Sequence, residues 1–170
     1  MRRSINKERQ LPNTDYLDSR AAAIEAIARL DARLDAAADD VIALLADIPV
    51  RSRLITLTCL NDGTVGIYYS SGEKVARLGR SSKRLPPAGK LLLSRLALIA
   101  RTFAPVSAID SVSESAVPVK TRVYFRCRDG FRRAEYEMDH VNECGDDIRS
   151  LDAMLKDLLR MIRRSKERRF

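Results

Sequence analysis

The chain has 170 residues, of which 45% are hydrophobic and 32% are charged, and its formal net charge is +8. This composition is typical of a globular domain and excludes a disordered chain, and no uninterrupted apolar run reaches the roughly 18 residues of a membrane span. The basic first residues are not followed by an apolar stretch, so we expect no secretion signal, no membrane partner and a cytoplasmic location.

The first predicted element is a long helix from Tyr16 to about Asp47, which Pro49 is expected to end. Its apolar residues recur at spacings of three and four, and they are Ile27, Leu30, Leu34, Ala37, Val41, Leu44 and Ile48. At about 1.5 Å per residue this helix would be about 50 Å long, more than a compact domain needs. We therefore expect a homodimer whose interface includes four residues of the seam, Ile27, Leu30, Leu34 and Val41.

A hairpin is predicted next, with strands Arg53–Leu60 and Thr64–Ser70. Asp62-Gly63 is expected to be its two-residue turn, which would place Leu57 opposite Tyr68. Both faces of these strands are mostly apolar, so we expect the hairpin to be central in a sheet and covered on both sides.

A short third strand is predicted from Lys74 to Leu78, and the basic loop Arg80–Arg84 follows it. The Pro86-Pro87 pair is expected to open a second helix that continues to about Phe103. Its predicted buried face consists of Leu91, Leu92, Leu96, Ile99 and Phe103. Residues 104–118 are expected to form a loop or a weak strand.

A second hairpin is predicted from Val119 to Met138, with its turn at Asp129-Gly130. This register pairs apolar residues on one face and opposite charges on the other. The expected pairs are Phe125 with Ala134, Val123 with Tyr136, Arg122 with Glu137 and Lys120 with Asp139.

The last predicted element is a helix that begins at Asp146 or Asp147 and ends in a very basic segment. Its expected buried seam consists of Ile148, Leu151, Leu155, Leu158 and Ile162. The predicted fold class is therefore α+β, with a long N-terminal helix, an antiparallel sheet of about five strands, an internal helix and a C-terminal helix. Residues 14–165 are expected to form a single domain between basic tails at 1–13 and 166–170.

The sequence shows no catalytic motif, so we expect a protein that is not an enzyme and that uses no cofactor. Cys59, Cys127 and Cys144 are widely spaced, and free thiols are expected, with the first two buried in strands. His140 and Cys144 lie among acidic residues and are metal-ligand types at helical spacing. We interpret this cluster as a loop and an acidic helix start and expect no metal.

The functional prediction rests on the turn of the second hairpin, where Arg126, Arg128, Arg132 and Arg133 lie close to Phe131. Clustered cations beside an aromatic ring are typical of nucleic-acid-binding surfaces. We therefore expect a small non-enzymatic nucleic-acid-binding accessory or regulatory protein. Its predicted contact residues are Arg80, Lys83, Arg84, Tyr124, Arg126, Arg128, Phe131, Arg132 and Arg133.

A second hypothesis is a protein-binding module, such as an inhibitor or an immunity-type protein, in which the same arginines contact an acidic partner. The sequence does not separate DNA, RNA and an acidic protein, because a guanidinium binds phosphate and carboxylate equally well.

Overall fold

The computed structural model describes residues 11–30, 41–76, 83–112 and 118–167, and in these residues the protein has the predicted α+β fold. The helices are α1 (Thr14–Ala28), α2 (Pro87–Ala100) and α3 (Asp146–Glu167), and a short 3₁₀ helix, Met138–Glu143, precedes α3. The strands are β1 (Val41–Val50), β2 (Arg53–Leu60), β3 (Thr64–Tyr69), β4 (Lys74–Ala76), β5 (Lys83–Arg84), β6 (Ala104–Val106), β7 (Thr121–Cys127) and β8 (Gly130–Tyr136).

The described strands form one antiparallel sheet in the order β4-β3-β2-β1-β7-β8-β6, and β5 also pairs with β3. The sheet has eight strands where the sequence predicts about five, because β1 was predicted as helix and β5 and β6, with two and three residues, are too short to show a pattern. The short edge strand β6 contains Pro105, a residue without an amide hydrogen.

The predicted helix from Tyr16 to Asp47 is wrong in its second part. Helix α1 begins after Asn13, whose side chain accepts a hydrogen bond from Asp15 N at 2.7 Å, and it ends at Ala28. Residues 41–50 form β1, the central strand, and Pro49 lies within it. A continuous apolar run fits a strand that is buried on both faces as well as it fits a helix seam. The intervening residues 31–40 lie outside the described part of the chain.

The registers of both predicted hairpins differ from the observed ones. In the first, Leu57 lies opposite Ile67, because the loop has three residues and Gly63, with φ of +86°, is the last of them. In the second, Cys127 lies opposite Gly130, so the pairing is shifted by two residues. A shift of two residues leaves each side chain on the same face of the sheet. The alternation of apolar and charged residues is therefore compatible with both registers.

Helices α2 and α3 cover one face of the sheet. The predicted seam of α3 is confirmed, since Leu151, Leu155, Leu158 and Ile162 are all buried and Ile148 packs against them. In α2 the prediction was wrong at Leu91, which is 56% exposed.

Helix α1 covers the opposite face, where Ile27 packs with Leu45 and Tyr124. Ile27 is only 1% exposed and Val41 belongs to β1, so the predicted dimer seam is not one exposed helix face. Leu30 packs against the same core, and Leu34 lies outside the described residues. Self-association itself stays a prediction.

All three cysteines are free, and Cys59 and Cys127 are buried in strands as predicted. Among the described helices, none is both long enough and apolar enough to cross a lipid bilayer.

Candidate functional site

The structure divides the predicted basic cluster between the two faces of the sheet. Side chains alternate along β8, so Phe131 and Arg133 lie on the side of α1, whereas Arg132 lies on the side of α2. Its guanidinium donates to the carbonyls of Arg101 and Phe103, at 3.3 and 3.5 Å, and forms an ion pair with Asp129 at 3.2 Å. Arg132 therefore caps the C-terminal end of α2 and lies apart from Arg126 and Arg133.

On the side of α1, Arg126 stacks on Phe131, with its guanidinium carbon 5.1 Å from the ring centre. Its Nη1 donates to the Cys127 carbonyl at 2.9 Å, and its buried Nε has no acceptor among the described residues. Arg133 donates to Asp110 Oδ2 at 2.8 Å. Arg133, like Arg132, therefore has an acidic partner within the fold.

Tyr124 does not present its ring to a ligand, contrary to the prediction. It is 1% exposed, and its hydroxyl donates to Asp110 Oδ2 at 3.0 Å. Burial, together with the neighbouring carboxylate, raises the pKa of Tyr124 to about 12. Its role is to hold the segment that contains Asp110 against β7.

The two cations at the start of the hairpin share one acid that differs from those predicted. Arg122 Nε lies 2.8 Å and Lys120 Nζ 3.7 Å from the Glu135 carboxylate, so the predicted partners Glu137 and Asp139 are wrong. Such partly exposed pairs contribute only about 0–1 kcal/mol to stability, so an anionic ligand could compete for these cations.

The predicted basic loop is described only in part, since Arg80 lies outside the described residues and Lys83 and Arg84 form β5. The exposed Arg84 lies near the turn that joins β2 to β3. Partial burial raises the pKa of Asp62 in that turn, but hydrogen bonds from Thr64 and the charges of Arg84 and Lys90 outweigh it and lower the pKa below its usual value. The first turn of α2 therefore lies in the same electrostatic environment as β5.

Helix α2 exposes a surface that the sequence analysis missed, which we call the α2 surface. It consists of Lys90, Leu91, Arg95, Leu98 and Arg101, and all five are exposed. Leu91 and Leu98 are 56% and 69% exposed and lie two turns apart on the same side of the helix. No aspartate or glutamate occurs between residues 83 and 109. The surface is therefore apolar along its centre and cationic at its margins.

A cavity of about 500 Å³ lies beside this surface, between α2 and strands β1 and β2. Lys90 and Arg101 both line it, and they are about 16 Å apart along the helix axis. Most other lining residues are apolar, and Asn61 and Ser94 are the polar exceptions. The complete lining is Val41, Ala43, Leu44, Cys59, Leu60, Asn61, Lys90, Leu93, Ser94, Ala97, Leu98 and Arg101.

The His140 cluster has local partners. His140 Nδ1 lies 3.3 Å from the Glu143 carboxylate, and Cys144 Sγ donates to the His140 carbonyl at 3.5 Å. Within the described ranges, no three histidine, cysteine, aspartate or glutamate side chains converge as a metal site.

The α2 surface could have been found in the sequence from two signals, the spacing of seven between Leu91 and Leu98 and the long interval without acids. The cavity could not, because it needs the pairing of β1 with β2. Comparison with known proteins gave no match to any protein family, curated protein or solved structure.

Proposed function

We propose that this protein is a protein-binding module that captures an acidic partner through the α2 surface. The observation that carries the proposal is the exposure of Leu91 and Leu98 between Lys90, Arg95 and Arg101 on a helix without acidic residues. An apolar centre with a charged margin is the arrangement of protein interfaces.

The exposed leucines favour a protein partner over nucleic acid. Burying one leucine side chain contributes about 1.5–3 kcal/mol, and a phosphate backbone offers no apolar surface for it. Arg95 forms no ion pair with any residue that the structure describes. A carboxylate of the partner would therefore not have to displace an existing ion pair at Arg95.

The test is selection of binders from a phage-displayed library of random segments of about 16 residues, at physiological salt. We expect enriched segments to combine aspartate or glutamate with large apolar residues. The double variant Leu91→Glu, Leu98→Glu should weaken their binding at least about tenfold, which corresponds to about 1.4 kcal/mol. Leu11→Glu is the matched control, because Leu11 is 63% exposed and lies outside α2. Equal binding by both variants, or no enrichment, would contradict the proposal.

The tip of the second hairpin, where Arg126, Phe131 and Arg133 lie on the side of α1, supports nucleic-acid binding as a second candidate. The Arg126 guanidinium lies over the ring of Phe131, and a cation beside an aromatic ring suits contact with phosphates and bases. If the tip binds phosphates, affinity for duplex DNA should fall with salt, with a log-log slope of about −0.9 per phosphate contacted.

The double variant Arg126→Glu, Arg133→Glu should weaken this binding for all sequences alike and flatten the salt dependence. Absence of binding to duplex DNA, single-stranded DNA and RNA near 50 mM salt would exclude the second candidate.

A further inference from the structure

We infer that the cavity beside α2 is an anchor pocket that takes a large apolar side chain from an acidic partner segment, with Lys90 and Arg101 each binding one carboxylate of that segment. The inference rests on the proposed function and adds to it the chemistry and the spacing of the ligand.

The size and lining of the cavity fit an apolar anchor. Its volume of about 500 Å³ lies within the roughly 300–1,000 Å³ of typical ligand pockets. Leu60, Leu93 and Ala97 contribute to an apolar wall, and Leu98 belongs both to this wall and to the α2 surface. A segment that covers Leu98 therefore also reaches the cavity.

The two cations set a distance that the partner must match. Lys90 and Arg101 both line the cavity, and along the helix they are about 16 Å apart. An extended chain advances about 3.3 Å per residue and alternates its side chains between two faces, so carboxylates six positions apart lie on one face and span about 20 Å, enough to reach both cations. The apolar anchor must lie between them. Asn61 and Ser94 supply the polar side chains of the lining, which suits the backbone of such a segment.

The probe is a capped octapeptide with the sequence GESFLSSE, in which the two glutamates are six positions apart and lie on the same face of the extended chain as the phenylalanine. Binding of a fluorescein-labelled copy is measured by anisotropy. We expect saturable binding, which is lost when the central FL pair is replaced by SS or when both glutamates are replaced by lysine. A peptide with adjacent glutamates should bind more weakly, because it cannot reach both cations.

Variants of the protein test the pocket itself. Ser94→Phe and Ala97→Phe fill the cavity and should each weaken binding at least about tenfold. Ala88→Phe adds the same ring at an exposed position of α2 that does not line the cavity, and it should leave binding unchanged. Ser94 is exposed, so its variant is expected to fold, and a melting temperature within a few degrees of wild type verifies this.

A chemical readout comes from the two buried cysteines. Cys59 lines the cavity, whereas Cys127 does not. Bound peptide should therefore slow the modification of Cys59 by a small methanethiosulfonate reagent and leave that of Cys127 unchanged.

The possible failures are distinguishable. If Ser94→Phe and Ala97→Phe bind phage-selected segments as well as wild type does, while Leu91→Glu, Leu98→Glu does not, the anchor pocket is wrong and the proposed function stands. If neither set of variants matters, both are wrong. The inference is overturned if the octapeptide does not bind at about 1 mM. It is also overturned if Ser94→Phe converts a dimer to a monomer, because a second copy of the chain would then occupy the pocket.

Discussion

Arg20 of α1 and Asp47 of β1 form a two-point ion pair in the interior of the protein. Arg20 Nη2 lies 2.5 Å from Asp47 Oδ2 and Nε lies 3.0 Å from Oδ1, and the two side chains are 3% and 1% exposed. Thr56 Oγ1 also donates to Asp47, at 2.6 Å, and Tyr16 donates its hydroxyl to Thr56 at 2.7 Å. This network fixes α1 to the centre of the sheet.

Replacing Arg20 with methionine should destabilise the protein by about 3–5 kcal/mol, because it leaves the Asp47 carboxylate buried without its cation. The free energy of unfolding in urea measures the loss. Arg29→Met is the control, since Arg29 pairs with Glu25 at the surface and its loss should cost at most about 1 kcal/mol. A loss below about 1 kcal/mol for Arg20→Met would show that water reaches Asp47.

The stability of the fold should decrease in alkaline solution. Burial, followed by nearby carboxylates, raises the pKa values of Tyr16, Tyr124 and Tyr136, that of Tyr124 to about 12. The folded protein thus retains phenol protons that the unfolded chain releases near pH 10. The contribution of these tyrosines to the free energy of unfolding is complete below about pH 10. Above that pH it falls by about 1.4 kcal/mol per pH unit for each tyrosine, until the pH reaches the pKa of that tyrosine in the folded protein.

Urea unfolding between pH 9 and about 11.5 measures this slope, and the buried tyrosine pKa values define the window. Tyr124→Phe should reduce the slope by the contribution of one proton. An unchanged slope in this variant would mean that Tyr124 ionises normally in the folded state.

The observed register of the second hairpin predicts which charges interact. A double-mutant cycle between Arg122 and Glu135 should give a coupling of about 0.2–1 kcal/mol, because their side chains are 2.8 Å apart. The same cycle between Arg122 and Glu137 should give none. Coupling to Glu137 instead would restore the register predicted from the sequence.

Gly66 on β3 should not tolerate a side chain. A Cβ atom at this position would lie 2.7 Å from Thr58 Oγ1 and 2.8 Å from the Tyr68 hydroxyl. Gly66→Ala should therefore cost about 1–3 kcal/mol through overpacking. Gly145→Ala serves as control, since its Cβ meets nothing within 4 Å and only the preference for glycine over alanine before α3 is lost, at about 1 kcal/mol or less. Equal losses in the two variants would show that the hydroxyls move aside.

The sequence predicts the fold class, α3, β2 and the approximate positions of α2 and the second hairpin. Each of these elements has a clear periodicity of apolar residues or a clear turn sequence. It does not predict β1, since burial on both faces removes the alternation that identifies a strand. Asp47 shows the same limitation. Its burial depends on Arg20, which lies 27 positions away and on another element, so no local pattern indicates that the two meet.

The candidate site was predicted less well than the fold. The sequence places Arg126, Arg132 and Arg133 together, but alternation along β8 sends Arg132 to the opposite face, and Asp110, from a segment without a clear pattern, pairs with Arg133. Leu91 fits the apolar period of α2, yet it lies at the margin of the face that meets the sheet. Only the packing of α2 decides that it is exposed.

Strand β6 has a consequence for how this protein behaves at high concentration. An edge strand is a template on which another molecule can add a strand, and long apolar edges of this kind begin fibrils. Here the edge next to β8 offers only the three residues Ala104–Val106, and Pro105 provides no amide donor. Growth of the sheet from one molecule to the next is therefore disfavoured at this edge, which is much shorter than the edges that promote aggregation.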